Sequence, residues 1–352
     1  MMHNSAHSRA RDHEIVSITA LVAFDRLVHS DWSVAPHKRW TAIAERSPMG
    51  WSIASLAQTP SPPAFLDLLF DRPKTLAGFD FPIGLPSLYL DRIGIGFCEL
   101  LALPATDRAR RFLTPAETLF DISPAQPFYR RHPPGGRQAD LLQRLDCASF
   151  DDLLRACDRP TANRSRAESV FWTVGAKQVG KAALSGWRDI LMPARARGAR
   201  LWPFDGRLST LSSDALTLAE TYPAEAYQHL GMKRKVKKRT QDGRTSAGAV
   251  MLGWASRHQV AISAAIGQLI KTGFGAREAG EDAFDAITGL CGMIEVADGR
   301  RAEAPDALWS SPPCEGWILG QTDVPEQCSA SLTAKADAGP RVGPRVGPRV
   351  RS

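Results

Sequence analysis

Apolar and polar positions alternate over three short stretches, Arg26–Val34, Lys38–Glu45 and Trp51–Ala57, each rich in Val, Ile, Trp and Thr. A period of two marks strands. Pro36-His37 and then Ser47-Pro48-Met49-Gly50 interrupt the pattern, so the chain is expected to open with an antiparallel three-strand meander. Across Pro63–Phe70 the period changes: Pro63 suits a first helical turn, and Phe65, Leu66, Leu69 and Phe70 keep helical spacing. Thr75–Phe81 then reads as a buried strand stopped by Pro82. A meander, a helix and a further strand predict an α/β fold.

Residues 86–195 lose this regularity and read as mostly helical and irregular, with Pro and Arg clustered in 124–137. Regular patterning resumes near Ala199, with a strand expected at Ala215–Tyr222, a short helix at Ala224–Leu230, and helices at 246–258, 260–271 and 280–296. The organisation predicted is one domain at 14–322, carrying a large insertion at about 86–195. Residues 1–13 are polar and aperiodic. The 323–352 stretch repeats Gly-Pro-Arg-Val three times between Gly339 and Val350, which precludes a packed core. Both are expected to be disordered.

No apolar run is long enough to span a bilayer, and Ile18–Phe24 is short and interrupted by Thr19. Neither a membrane partner nor a signal peptide is expected. The six cysteines, at 98, 147, 157, 291, 314 and 328, form no Cys-x-x-Cys pair, which favours a reduced, cytoplasmic protein. The net charge of +7 is unevenly spread. Lys335, Arg341, Arg345, Arg349 and Arg351 stand in the repeat region against Asp337 alone, so the remainder is only mildly basic. The informative concentration lies at 233–244, where Lys233, Arg234, Lys235, Lys237, Lys238, Arg239 and Arg244 face only Asp242. Such a run is a solvated loop or a phosphate-binding surface.

Four acids stand out against apolar surroundings. Asp31 sits in the first strand pattern. Asp80 lies in Leu76-Ala77-Gly78-Phe79-Asp80-Phe81-Pro82, where a carboxylate needs a cation or hydrogen-bond donors. Glu220 repeats the arrangement in Leu216–Pro223. In Glu281-Asp282-Ala283-Phe284-Asp285-Ala286-Ile287, positions 282 and 285 share a helix face, and Asp285 is embedded among apolar residues. Glu281 and Asp282 also suit the positive end of a helix. Three strand-borne acids followed by a helix bearing one or two more suit Mg2+ or Mn2+, which take oxygen ligands. Two such ions, roughly 3.5–4 Å apart, activate water and stabilise the leaving oxygen in phosphodiester cleavage.

The strings Asp31-Trp32-Ser33, Phe79-Asp80-Phe81-Pro82-Ile83-Gly84-Leu85-Pro86, Glu220-Thr221-Tyr222-Pro223-Ala224-Glu225 and Glu281–Ala286 resemble, in this order, domain-of-unknown-function family 429 (DUF429). The family is described as predicted nucleases of ribonuclease-H-like fold, and the resemblance spans about 25–320. More distantly, the chain is similar to RuvC-type resolvases, with a first-strand Asp, a fourth-strand acid and an Asp-x-x-Asp-Ala helix. The resemblance implies a mixed sheet flanked by helices and a metal-dependent nuclease. Its metal ligands would be Asp31, Asp80, Asp282 and Asp285, with Glu220 a further catalytic candidate. The resolvases commonly carry Glu where this chain has Asp80, which alters ligand reach.

A nucleic-acid partner would engage Lys237, Lys238, Arg239 and Arg244, with Lys177 and Gln178 as further phosphate or base contacts. The segment around Lys177 is not a phosphate-binding loop of the Gly-Lys-Ser/Thr kind, since Ala182 follows Lys181. Two other functions are weighed: phosphoryl transfer of the actin-like or sugar-kinase type, and nucleic-acid binding without catalysis. The first needs glycine-rich phosphate turns near Asp31, where Trp32 and Ser33 stand instead.

Overall fold

The computed structural model describes residues 24–103, 106–130, 137–161, 165–174, 178–276, 279–310 and 313–324. Apart from Asp323 and Val324, the two segments expected to be disordered lie outside them, as does Lys177. Seven strands form one mixed sheet: β1 (Arg26–Asp31), β2 (Trp40–Ser47), β3 (Gly50–Gln58), β4 (Thr75–Phe79), β5 (Arg200–Leu201), β6 (Leu216–Glu220) and β7 (Ala261–Ile262). Their spatial order is β5-β6-β4-β1-β2-β3-β7. The predicted meander is present, with β2 antiparallel to both β1 and β3. β1 then pairs in parallel with β4, and β4 with β6. Helices lie on both faces, which makes the fold α/β.

Alternation along the strands divides the core in two. Leu27 and Leu76 join a cluster with Met251, Trp254, Phe284, Ile287 and Ile294. Their sequence neighbours Val28 and Ala77 point the other way, into a cluster with Phe65, Phe112, Phe128 and Trp187. The first face is covered by the long helices Gln241–Arg257 and Ala279–Ala297. The second is covered by Pro62–Phe70 and by short helices between residues 86 and 195. These residues therefore share with Pro62–Phe70 the packing of one face of the sheet. Among them, Trp187 stacks on Phe112 and donates a hydrogen bond to the carbonyl of Pro82 at 2.7 Å.

The Ala279–Ala297 helix lies against β1, β2, β3 and β4. Two glycines permit this approach. A Cβ at Gly289 would stand 2.1 Å from the His29 ring on β1, and one at Gly78 on β4 would stand 2.6 Å from Met293 Sδ. At each contact a glycine of one element makes room for a side chain of the other.

Several predicted boundaries are corrected. Thr240 caps the Gln241–Arg257 helix by accepting from the Gly243 amide, so this helix starts before residue 246 and takes in the end of the basic run. Residues Ala261–Ile262 leave the predicted 260–271 helix to pair with β3, and Ser263 caps the helix that follows, Ala264–Lys271. The helix expected at Ala224–Leu230 is shorter, Pro223–Ala226.

A carboxylate cluster at the strand ends

In the β1–β4 ladder Leu27 pairs with Leu76 and His29 with Gly78. Continued by two residues, this register sets Asp31 beside Asp80, both on the face covered by the Ala279–Ala297 helix. The two carboxyl groups hydrogen-bond one another. The amide of Trp32 donates to Asp80 Oδ1 at 2.7 Å. Burial pushes the Asp31 carboxyl well above its usual range, and the charges of Asp80 and Asp285 push it further. Asp80 is raised by burial too, but its bonds to Asp31 and the Trp32 amide and the nearby Lys238 ammonium oppose the rise. The Trp32 ring itself packs on the opposite face of the sheet among Phe65, Phe79 and Phe81, with the Arg39 guanidinium carbon 3.9 Å from its centroid.

The helix completes the cluster. Asp282, Asp285 and Gly289 fall on one stripe, so the close approach at Gly289 brings the two acids over the ends of β1 and β4. Asp285 is only 6% exposed. Its Oδ2 accepts from the Lys238 ammonium, which also lies 3.4 Å from Glu281 Oε1. Its Oδ1 is buried and has no hydrogen-bond partner. Burial raises Asp285 to about 6, offset by Lys238 and reinforced by Asp80 and Glu281. Asp282 is likewise raised to about 6, by burial first and then by Asp285, Glu281 and Asp80, while Lys38 opposes the rise.

Asp31, Asp80, Asp282 and Asp285 therefore share one electrostatic environment. Among the described residues no three His, Cys, Asp or Glu side chains stand in metal-binding geometry, and the cation nearest the cluster is the Lys238 ammonium. The donors are nonetheless carboxylate oxygens, the type that hard divalent cations take, and the buried Asp285 Oδ1 lacks a counter-group. An oxygen-liganded cation fits this set chemically.

Glu220 does not belong to it. In the β4–β6 ladder Glu220 pairs with Phe79, not with Asp80, and so points to the opposite face. There Arg155, fully buried, grips it with Nη1 to Oε2 at 2.5 Å and Nη2 to Oε1 at 2.7 Å, and the Ile83 amide adds a bond of 2.6 Å. Asp158 flanks the same guanidinium, accepting from Nε at 2.9 Å. The catalytic assignment of Glu220 is corrected to that of a structural ion-pair partner.

Arg244 is corrected as well. It is 1% exposed and its guanidinium donates to the carbonyls of Lys238, Gly273 and Gly275 at 2.7–2.8 Å, so it anchors the loop that carries Lys238. Lys237 and Arg239 are exposed on either side of Lys238. Gln178 is exposed at the cap of the Val179–Gly186 helix. Sequence reasoning makes Lys238 one more phosphate contact and misses Glu281 and Lys38 as charged neighbours of the cluster. Nothing in a run of like cations distinguishes the one that turns inward. Comparison with protein-family models, with curated proteins and with solved structures finds no match.

Proposed function

We propose that this chain is a divalent-metal-dependent nuclease or phosphodiesterase of ribonuclease-H-like fold, related to DUF429. The observation that carries the reading is the meeting of Asp31 and Asp80 at the carboxyl ends of adjacent parallel strands, beneath a helix presenting Asp285 and Asp282. Ligands of open α/β sheets gather at such strand ends. The fold assignment draws support from an antiparallel meander whose first strand is continued, in parallel, by β4 and β6.

Asp31, Asp80, Asp285 and, at the rim, Asp282 would hold Mg2+ or Mn2+, which supplies Lewis-acid stabilisation and lowers the pKa of a water. The Trp32 amide fixes Asp80. Exposed Lys233, Lys235, Lys237 and Arg239 lead along the chain to the site and offer a track for a phosphate backbone. The deciding assay offers single-stranded, duplex and branched nucleic acids with Mg2+ or Mn2+ to the wild type and to Asp31→Asn. The wild type is expected to cleave at least one of them. The variant is expected to lose more than the roughly 10–100-fold typical of a supporting partner. Equal cleavage by both proteins removes the reading.

A further inference from the structure

The cluster already contains one cation. Lys238 is anchored from behind, because the three carbonyls on Arg244 include its own. Its ammonium takes Asp285 Oδ2 and stands near Glu281. Asp285 has thus committed one oxygen to an internal cation while the other, Oδ1, is buried and unpartnered, on a side chain whose charge interacts with both Asp31 and Asp80. Asp282 has a counter-charge of its own in Lys38. Asp31, Asp80, Asp285 and Glu281, when ionised, leave three negative charges after Lys238 is set against them, of which a single divalent ion neutralises two. A second ion beside Asp285 would have to share Oδ2 with an ammonium at hydrogen-bond distance, at a Coulomb cost that low dielectric magnifies.

We infer that Lys238 permanently holds the second cation position, so that the site loads one divalent ion, bounded by Asp31, Asp80 and Asp285 Oδ1, rather than a pair. This rests on the metal-site reading above. Lys238 then acts as a positioning residue: it fixes the Asp285 carboxylate with Oδ1 turned toward the ion, and it supplies the positive charge that a second ion would otherwise bring.

The test is a count of Mn2+ bound by the full-length chain, by equilibrium dialysis and electron paramagnetic resonance, with Asp31→Asn as reference. One Asp31-dependent ion per chain is expected, with the hyperfine pattern of an isolated Mn2+. Lys238→Met should admit a second ion and give the broadened spectrum of a coupled pair, whereas Lys238→Arg should keep a single ion. Two coupled ions in the wild type would overturn the inference while leaving the metal site intact. No Asp31-dependent Mn2+ at all would instead remove the metal-site reading on which it rests. The wild-type count decides between these outcomes even if Lys238→Met fails to fold. A folded Lys238→Met that still holds only one ion, with unchanged affinity, would also overturn it.

Discussion

A residue's role in this chain depends on which way its strand turns it. Asp80 and Glu220 occupy matching local sequences, each an acid after an apolar strand and shortly before a proline, yet they lie on opposite faces. The one-residue offset in the β4–β6 ladder separates a cluster acid from an ion-pair acid. Arg155→Met therefore strands Glu220 and Asp158 in the core, and should destabilise the fold by about 3–5 kcal/mol, the usual cost of breaking a buried pair. Chemical denaturation measures this loss. Asp31 and Asp80 were legible because an ionisable group in an apolar strand needs an explanation. Their juxtaposition was expected only through the family resemblance, because strand register is set by long-range pairing that local sequence does not encode. Lys238 was visible only as a member of a basic run.

At the scale of elements, the approach of the Ala279–Ala297 helix to the sheet governs the site. Gly289→Ala drives a methyl into the His29 ring, so the helix must shift. A loss of about 1–3 kcal/mol is expected from this overpacking, together with weaker Mn2+ binding as Asp285 moves. Gly253→Ala, whose added Cβ meets only the tip of Arg257 at 3.5 Å, should be neutral or stabilising. Thermal melts with and without Mn2+ test both. The Asp-x-x-Asp spacing predicted which face of this helix carries acids. The starts of the Gln241–Arg257 and Ala264–Lys271 helices were less legible, because they depend on caps and on pairing with β3.

A second element-level device ties Leu319–Gln321 to the body through Arg301, whose Nη1 lies 2.7 Å from His229 Nδ1. Burial, and then the Arg301 charge, lower His229 from 6.5 to about 4. The unfolded chain accordingly binds the extra proton first as pH falls. Stability contributed by neutral His229 is present above pH 6.5 and drains away toward pH 4. His229→Asn, which keeps an acceptor for Arg301, should flatten the pH dependence of the unfolding free energy across that window. Parallel slopes for both proteins would count against this account.

For the whole molecule, the charge narrows to the exposed side chains around Lys238. Lys237→Glu with Arg239→Glu should weaken nucleic-acid binding for all sequences alike. The slope of log affinity against log salt should fall by about one for each phosphate that is no longer neutralised, as titrations at several salt concentrations would measure. The α/β class and the meander were readable in periodicity alone. Residues 86–195 were readable only as a loss of regularity, because their apolar residues follow the shape of a sheet face formed elsewhere in the chain. The strand-and-helix assembly of the cluster also has a consequence for timing. Asp31 and Asp80 are synthesised well before Lys238, Asp282 and Asp285. A chain cut short before residue 279 lacks the Ala279–Ala297 helix, so the carboxylate cluster closes only once that helix has been made.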